Sequence, residues 1–516
     1  MGTLGLILVA LGVILVSILW KKMMVLLWRP YVLKKRFKEQ GVSGPEYKFR
    51  SGSFVEVRRL EDEAREIELD VNSHDILPKV APYYYKWANQ YGGTFVYWVG
   101  PIPNLCVTDA EHVKQVLSNK FGFFAKPKVT GALLSLLGKG LVLTDGSEWA
   151  RHRRVVSPAF TMDKLKIMVK KMAECTESML DTWHDRMVRA ESIEVNQQFQ
   201  ELTADVISHA AFGSSYIEGK EVFLAQKELQ FLVLASMLNR PIPGYSYLPT
   251  KLNLKKWELE RKMRNALLRI IDSRLSSKGS GYGNDLLGIM LEATQKQEGM
   301  QLNTNEIIDE CKTFFFAGHE TTSHLLTWTV FLLSTNQEWQ EKLREEVIRE
   351  CGVKVPNADN LTKFKLVTMV LMEALRLYCP VIMILRQAAK DMNLGGFMIP
   401  KGTSVTIPFA IIHLSKELWG DDANKFNPLR FENGINKAAK HPNALLAFSM
   451  GPRACVGQNF SMLEAKTVIA MILQRFSFSL SQEYKHKPAD LLTLQPQNGL
   501  PIVFKPLVTE RADASN

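Results

Sequence analysis

The chain has 516 residues, of which 46% are hydrophobic and 23% are charged. This is the composition of a folded globular protein, and it excludes an intrinsically disordered chain. The formal net charge is +11, but no nucleic-acid-binding motif accompanies it, so we predict no nucleic-acid partner. The six cysteines are scattered without a Cys-x-x-Cys pair, which argues against both a disulfide framework and a zinc site.

The amino terminus has the pattern of a membrane anchor. Residues 3–20 form an 18-residue run without a charge, close to the about 20 apolar residues that span a bilayer. Lysines and arginines follow this run and none precedes it, so the positive-inside rule places the bulk of the chain in the cytosol. We expect a membrane anchor at 1–28, a basic, proline-containing linker at 29–50 and a catalytic domain at 51–516. A buried core helix is the alternative for the apolar run.

A short hairpin and a mainly helical region follow the anchor. Residues 95–98 and 105–107 have the composition of two strands joined by a Gly/Pro turn, which predicts a β-hairpin. Farther on, Trp149 and Arg153 are four residues apart, so on a helix they share one face. An indole N–H and a guanidinium at that spacing can bind a carboxylate together. Alone the pair is a weak signal, because an ordinary surface cation–π pair has the same spacing.

Residues 305–334 predict one long helix, roughly 45 Å in length. Its centre reads AGHETT, from Ala317 to Thr322. Glycine and threonine are poor helix formers, so we expect the helix to be interrupted there, with the small Ala317-Gly318 step leaving room for a diatomic ligand. Glu320 and Thr321 offer an acid and a hydroxyl for proton delivery. The alternative is a threonine hydroxyl that bonds only to the preceding helical turn.

Glu373 and Arg376 form a Glu-x-x-Arg pair, which is a weak signal by itself. The same spacing recurs at Glu341 and Arg344, where an exposed helix pair worth a few tenths of a kcal/mol is a sufficient explanation. The context of Glu373 is different, because an Asn-Pro-x-Arg-Phe stretch containing Arg430 follows it.

The most informative segment is 448–457, which reads FSMGPRACVG. Cys455 stands in a glycine-framed loop that leads into an apolar helix, an arrangement that suits a single axial thiolate on a haem iron. Glycines would let the backbone pass close to the porphyrin, and N–H groups at the helix start favour the thiolate. Phe448 could cover the proximal face and Arg453 could reach a haem propionate. A lone Cys-x-Gly would more often be a buried cysteine, but the full pattern favours haem.

These motifs, in this order, resemble the cytochrome P-450 superfamily. With the anchor and the flanking segments they are similar to the plant clan that oxidises fatty acids, terpenoids and hormones, and most of all to its subterminal fatty-acid hydroxylases. The resemblance implies a mainly α fold with a small β-rich lobe, preceded by one N-terminal transmembrane helix. It also implies haem b (iron protoporphyrin IX) between the cysteine loop and the long helix, with Cys455 as the iron ligand.

The resemblance further assigns expected roles to residues. Glu320 and Thr321 are the expected catalytic residues. The expected cofactor-binding residues are Trp149, Arg153, Arg386, Phe448, Arg453, Cys455 and Gly457. Glu373, Arg376 and Arg430 are expected to form a buried network that locks the cysteine loop. The expected substrate pocket is lined by Leu134, Leu137, Phe316, Ala317, Val381, Leu385 and Leu500.

The implied activity is hydroxylation of an apolar small molecule with O2, best interpreted as subterminal hydroxylation of a fatty acid. A terpenoid or plant hormone is the alternative substrate class; a haem-thiolate isomerase, a dehydratase and a non-catalytic haem protein are further alternatives. Because the chain has no Rossmann or flavin fingerprint, we expect electrons from NADPH to arrive through a separate flavin reductase. The expected location is the endoplasmic reticulum membrane, with a single span and a cytosolic catalytic domain.

Overall fold

The computed structural model describes residues 2–119, 122–127, 129, 131–188, 191–213, 216–237, 247–276, 282–283, 285–296 and 301–507. Within these ranges the fold is mainly helical. The helices are α1 (Thr3–Met23), α2 (Arg29–Glu39), α3 (Phe54–Arg65), α4 (Leu77–Val80), α5 (Pro82–Tyr91), α6 (Ala110–Leu117), α7 (Ala132–Leu137), α8 (Gly146–Val156), α9 (Met162–Val188), α10 (Val195–Phe212), α11 (Tyr216–Met237), α12 (Lys251–Ser276), α13 (Leu286–Lys296), α14 (Thr304–Thr335), α15 (Gln337–Cys351), α16 (Ala358–Lys363), α17 (Lys365–Leu377), α18 (Phe409–His413), α19 (Lys416–Trp419) and α20 (Gln458–Arg475).

Short strands form a small β-rich part. They are β1 (Thr94–Val99), β2 (Ile102–Val107), β3 (Phe124–Ala125), β4 (Ile193–Glu194), β5 (Ile384–Ala388), β6 (Met392–Leu394), β7 (Phe397–Ile399), β8 (Ser404–Ile407), β9 (Phe476–Leu480), β10 (Pro488–Asp490), β11 (Leu494–Pro496) and β12 (Pro501–Pro506). The largest sheet has the order β1-β2-β8-β5-β3, in which only β2 and β8 run parallel. A three-stranded sheet β4-β12-β9 and the hairpins β6-β7 and β10-β11 complete the set. The expected fold class and the β1-β2 hairpin are confirmed.

The N-terminal helix fits a single-pass membrane anchor. α1 continues through a π-helical turn at Met24–Trp28 into α2, which makes one helix of 37 residues from Thr3 to Glu39. None of the residues of α1 is buried. In contrast, Phe37 in α2 is fully buried and packs with Val96 and Leu105 of the five-stranded sheet. The segment 29–50, expected to be a linker, therefore includes a helix whose second half docks on the globular part.

The long helix α14 is central to the fold. An asparagine–glutamate capping box of Asn303 and Glu306 closes its N-terminus, and most of its side chains are buried. The expected interruption at 317–322 was wrong, because α-helix is continuous through these residues. A glycine costs a helix about 1 kcal/mol, and packing against α7, α10, α17 and α20 on several sides outweighs that cost.

Candidate active site

The cysteine loop is closed by its own backbone and packs against α6. The Cys455 N–H donates to the Phe448 carbonyl oxygen at 2.9 Å. Gly451 has φ +73°, and a Cβ at this position would lie 2.4 Å from the carbonyl oxygen of Leu117. Glycine is required at position 451 because the backbone is left-handed and lies close to Leu117 of α6. We expected this glycine to leave space for a porphyrin, whereas in the structure it leaves space for α6.

The surroundings of the Cys455 sulfur suit a metal ligand. It is the one exposed side chain among the six cysteines, all of which lie within the described residues, yet enough protein surrounds it for burial to raise its pKa. The Gly457 N–H, the Arg153 charge and the Gln458 N–H oppose that rise. Since α20 begins at Gln458, the N-terminal N–H groups of this helix point at the sulfur and stabilise a thiolate.

The aromatic and cationic residues near the loop have different partners. The Arg453 guanidinium lies over the Trp149 ring, 4.4 Å from its centroid, and forms an ion pair with Asp145. Arg153 instead donates from Nη1 to the Ala454 carbonyl oxygen at 3.0 Å. In this structure Arg153 therefore supports the cysteine loop directly, while Trp149 and Arg453 form a stacked pair beside it.

A cluster of cations lies next to this pair. Burial lowers the pKa of Arg386 and of Arg453 to about 10. Burial also lowers the pKa of Lys126 well below its ordinary value, and the charges of Arg453 and Arg386 lower it further. Sequence reasoning missed Lys126, because nothing around it marks it and only the fold brings it to the two arginines.

This cluster fits the cofactor that the cysteine loop suggests. Asp145 neutralises Arg453 and Glu310 attracts Lys126 from nearby, but Glu310 also binds His152 and the Leu141 N–H. Buried cations in excess of their anions are unfavourable without a further anionic partner. The two carboxylates of haem b are such partners, and the thiolate of Cys455 is a suitable iron ligand. The residues present therefore fit haem.

On the mostly buried helix α14, Ala317 and Thr321 are two of the partly accessible positions near its centre. Both are half-buried and four residues apart, so they share one face. The Thr321 hydroxyl donates to the Ala317 carbonyl oxygen at 2.7 Å, the helical back-bond that was the alternative for this residue. Gly318 faces elsewhere: a Cβ there would lie 2.7 Å from Ile207 of α10. The glycine therefore serves helix packing, and not the expected space for a diatomic ligand.

Glu320 is held in a buried polar cluster. Its Oε1 accepts hydrogen bonds from Gln230 Nε2 at 2.8 Å and from Thr493 Oγ1 at 3.0 Å. Burial alone would raise the pKa of Glu320, but the imidazoles of His324 and His319 and these two hydrogen bonds hold it below its ordinary value. Within the described residues, Glu320 and Thr321 share no hydrogen bond. The carboxylate joins α14 to α11 and to the β10-β11 turn.

The predicted Glu373, Arg376 and Arg430 come together in a buried network. Arg376 Nε and Nη2 each donate to one Glu373 oxygen at 2.7 Å, and Arg376 Nη1 reaches the carbonyl oxygen of His413 at 2.9 Å. Arg430 Nε lies 3.5 Å from Glu373 Oε1, and its Nη1 donates to the Trp419 carbonyl oxygen at 2.9 Å. The network joins α17 to the segment that precedes the cysteine loop.

Comparisons with known proteins agree with this site. Residues 75–503 match the family described as Cytochrome P-450. The chain belongs to the cytochrome P-450 family. It is 52% identical over 500 residues to cytochrome P-450 709B1 of Arabidopsis thaliana, covering 95% of this chain and 96% of the relative. It is 41% identical over 489 residues to secologanin synthase 1 of Catharanthus roseus and 39% identical over 484 residues to cytokinin hydroxylase of Arabidopsis thaliana, each covering 93% of both chains.

Membership in the cytochrome P-450 family establishes the class of chemistry. The protein is a haem-thiolate monooxygenase, and the family takes electrons that originate from NADPH through a reductase. Enzymes of this family bind O2 and an apolar substrate.

The residues predicted to line the substrate pocket are dispersed over several elements. Leu137 and Phe316 are buried where α7 packs on α14. Leu134 and Leu385 are both 37% exposed, and Val381 is half-buried. Leu500 does not match its expected place in a substrate-facing turn. It is fully buried, with its N–H bound to Glu194 Oε1 at 2.7 Å.

The turn that contacts the Glu320 cluster is Leu491 to Thr493, between β10 and β11. Thr493 binds Glu320 directly, and the Leu491 carbonyl oxygen lies 3.5 Å from Gln230 Nε2. Sequence reasoning missed Gln230 and Thr493, since they are 90 and 173 residues from Glu320 and only the packing of α11 and this turn reveals them.

Proposed function

We propose that this cytochrome P-450 hydroxylates a fatty acid near its methyl end. The observation that carries the proposal is the apolar character of the predicted lining, in which Leu137, Phe316 and Leu385 are the main side chains. Glu320 lies close to this lining, but it is buried and hydrogen-bonded to Gln230 and Thr493, so its carboxylate is not exposed to a basic ligand. An apolar wall of this kind favours a long hydrocarbon and discriminates weakly between chain lengths.

The roles of the site residues follow from their contacts. Haem, when bound through Cys455, supplies the activation of O2 by which one oxygen atom enters the substrate and the other leaves as water. The hydrogen of the Thr321 hydroxyl is committed to the Ala317 carbonyl oxygen, so its lone pairs are available to accept a hydrogen bond and orient a water molecule. Glu320, held as a carboxylate by its neighbours, accepts and passes on a proton rather than storing one.

The cation cluster of Lys126, Arg386 and Arg453 binds the haem carboxylates in this proposal. Trp149 supports Arg453 through the stacked contact, and Phe448 and Gly457 hold the cysteine loop in place. Arg153 acts on the loop through the Ala454 carbonyl oxygen. The Glu373 network fixes the segment that leads into the loop.

We also propose that the protein sits in the endoplasmic reticulum membrane by its single N-terminal helix, with the catalytic domain, residues 51–516, in the cytosol. Lys21 and Lys22 end α1, and further basic residues follow in α2; the positive-inside rule then supports this topology. A membrane-bound, NADPH-dependent flavin reductase on the same face would deliver the electrons.

A terpenoid or plant-hormone hydroxylase is the second candidate. The relatives named cytokinin hydroxylase and secologanin synthase 1 share 39% and 41% identity with this chain over nearly its full length. Their names show that close relatives of this fold act on small molecules other than fatty acids. This supports testing both classes on equal terms.

The test is a titration of purified full-length protein, in which the haem spin-state shift reports binding of fatty acids, diterpenoids, steroids and isoprenoid cytokinins. Turnover with reductase and NADPH is measured for each ligand that shifts the spectrum. We expect binding and hydroxylation of medium- or long-chain fatty acids. Binding and turnover of a polycyclic or cytokinin ligand, with no fatty acid active, would contradict the fatty-acid proposal. Product formation without NADPH would favour an isomerase or dehydratase.

A pair of leucine variants connects this test to the lining. Leu385→Ala truncates a partly exposed side chain at the predicted pocket, so we expect fatty-acid affinity to fall about fivefold, since a partly buried leucine contributes roughly 1 kcal/mol. Leu254→Ala removes an exposed leucine from α12 and should leave the affinity unchanged. Equal affinities for both variants would exclude Leu385 from the pocket.

A further inference from the structure

Three metal-binding side chains meet between α9 and α10. Cys175 lies on α9, and Asp205 and His209 lie four residues apart on α10. Their sulfur, carboxylate oxygen and imidazole nitrogen atoms are all within 4.8 Å of one another. His209 Nε2 is 3.8 Å from Asp205 Oδ1. Residues four apart on a helix face the same side, so α10 presents both side chains together toward the thiol.

We propose that Cys175, Asp205 and His209 form a zinc site, with water as the fourth ligand. This site is separate from the haem ligand Cys455, and the monooxygenase chemistry does not use it. Binding replaces the proton of the Cys175 thiol by Zn²⁺, so that a sulfur–zinc bond forms and one proton is released to solvent.

The types and spacing of the ligands favour zinc. Thiolate, imidazole and carboxylate are the zinc ligands found in proteins, at about 2.0–2.3 Å from the metal. In a tetrahedral site such bonds place the ligand atoms roughly 3.5 Å apart. The observed donors lie at or somewhat beyond that spacing, and side-chain rotation is enough to bring them together. A hard cation such as Mg²⁺ prefers oxygen ligands alone, which this group does not supply.

The surroundings of Cys175 also favour a cation. Its thiol lies within interaction distance of the Asp205 carboxylate. Glu464 of α20 interacts electrostatically with Cys175; it is fully buried, and neither of its carboxyl oxygens has a hydrogen-bond partner among the described residues. Buried polar groups without partners are uncommon in native proteins. A nearby divalent cation would stabilise this carboxyl group.

A route from solvent reaches the proposed site. His209 lines a cavity of 560 Å³ together with Glu174, Lys171 and Ile167, and Ile167 is 77% exposed. The cavity therefore brings solvent to His209, the one proposed ligand among its lining residues. Lys164, Lys170 and Lys171 also line the cavity; Lys171 is paired with Glu174 at 2.6 Å, which limits its repulsion of a metal ion.

A second group of metal-binding side chains differs from the proposed site because its members already form ion pairs. Glu148, His152 and Glu306 also lie close together, but their charges are already matched. Glu306 pairs with Arg151 and caps α14, and His152 binds Glu310. This group is a structural ion-pair network, and Glu148 therefore serves as a control.

The expectation that the chain has no zinc site rested on cysteine spacing. Cysteine spacing cannot reveal the proposed ligands, because they come from two helices and only one of them is a cysteine. A zinc ion bound to them would link α9 to α10. Ile207 lies between the two α10 ligands and packs against Gly318 of α14. The zinc ion would therefore stabilise α10, which contacts the active-site helix α14.

The first measurement is zinc content per haem in the purified full-length holoenzyme, after dialysis against Zn²⁺ and then against metal-free buffer. We expect one equivalent of zinc in the wild type. Loss of a residue that only hydrogen-bonds to a metal ligand lowers metal affinity roughly 10–100-fold. Asp205→Asn and His209→Gln each remove a ligand itself, so each should weaken Zn²⁺ affinity by at least this factor. Cys175→Ser should do the same. Cys351→Ser and Glu148→Gln are matched controls and should retain wild-type affinity.

The second measurement is zinc K-edge absorption, which identifies the ligands directly. We expect one sulfur neighbour at about 2.3 Å in the wild type and its loss in Cys175→Ser. The thiolate–haem spectrum of each variant reports folding; if Cys175→Ser fails to fold, Asp205→Asn, at a partly exposed position, carries the test. Wild-type protein without stoichiometric zinc, zinc without a sulfur ligand, or equal zinc in all variants would each overturn the proposal.

Discussion

The sharpest test of the structure concerns the charge of Glu373. The Glu373→Gln substitution keeps the shape of the side chain but removes the carboxylate that faces Arg376. Both side chains are fully buried, and the pair is bidentate at 2.7 Å. Breaking a buried ion pair by removing one partner costs about 3–5 kcal/mol, because the remaining charge is left uncompensated. The carbonyl oxygens of His413 and Ala423 still bind Arg376, but they carry no formal charge.

The chain provides a matched control at Glu341. It has the same Glu-x-x-Arg spacing on α15, its side chain is 59% exposed, and its partner Arg344 remains bound to the carbonyl oxygens of Leu473 and Phe476 at 3.1 Å. Arg344 is buried, so the pair is not the exposed pair expected from the sequence. Because Glu341 is in solvent and Arg344 keeps its other hydrogen bonds, we expect Glu341→Gln to cost about 1 kcal/mol or less.

The assay is thermal unfolding of the purified haem protein, followed by loss of the thiolate–haem absorbance. At roughly 2 °C per kcal/mol for a chain of this size, Glu373→Gln should lower the unfolding midpoint by about 6–10 °C and reduce haem incorporation during expression. Glu341→Gln should lower it by less than about 2 °C. Equal midpoints for the two variants would refute the reasoning, since they would show that burial of the Glu373 pair contributes nothing beyond its spacing.

Three further predictions concern single features of the chain. Cys455→Ala should abolish the thiolate spectrum of the reduced carbon monoxide complex, and a band at the wild-type position would exclude Cys455 as the ligand. Thr321→Ala should lower the amount of product per NADPH consumed, because the water-orienting oxygen is lost; an unchanged ratio would limit the hydroxyl to its bond with Ala317. Deletion of residues 1–28 should release protein from the membrane fraction while keeping the haem spectrum, because Phe37 still docks on the sheet; full retention in membranes would contradict α1 as the main anchor.

How far the sequence predicts this protein depends on whether a feature is local. The length of α14 and the β1-β2 hairpin follow from local period and composition, and each was predicted within a few residues. The continuity of α14 through 317–322 was not predicted. Poor helix formers are a local signal for interruption, but packing of Ile207 against Gly318 is a tertiary contact that overrides the propensity.

The same distinction applies to the site. Glu373, Arg376 and Arg430 were predicted to interact because a known motif order links them, and the structure brings them into one network. Leu500 was predicted to line the substrate pocket on the same kind of argument, and the structure places it fully buried, with its N–H bound to Glu194. The position of Leu500 is set by tertiary contacts, in which its N–H binds Glu194 and its carbonyl oxygen binds the Val195 N–H, and a sequence motif does not reveal such contacts.

The cation cluster shows why some functional residues leave no trace in the sequence. Lys126 lies in a segment without a motif, and in isolation it is an ordinary lysine. Its position matters only because the fold buries it near Arg386 and Arg453, whose charges add to burial in lowering the pKa of Lys126. In a site of low polarity such charges repel unless anions lie between them, and in our proposal the two haem carboxylates would supply those anions. Haem binding should therefore stabilise this part of the fold by mass action, so the cofactor contributes to folding here as well as to chemistry.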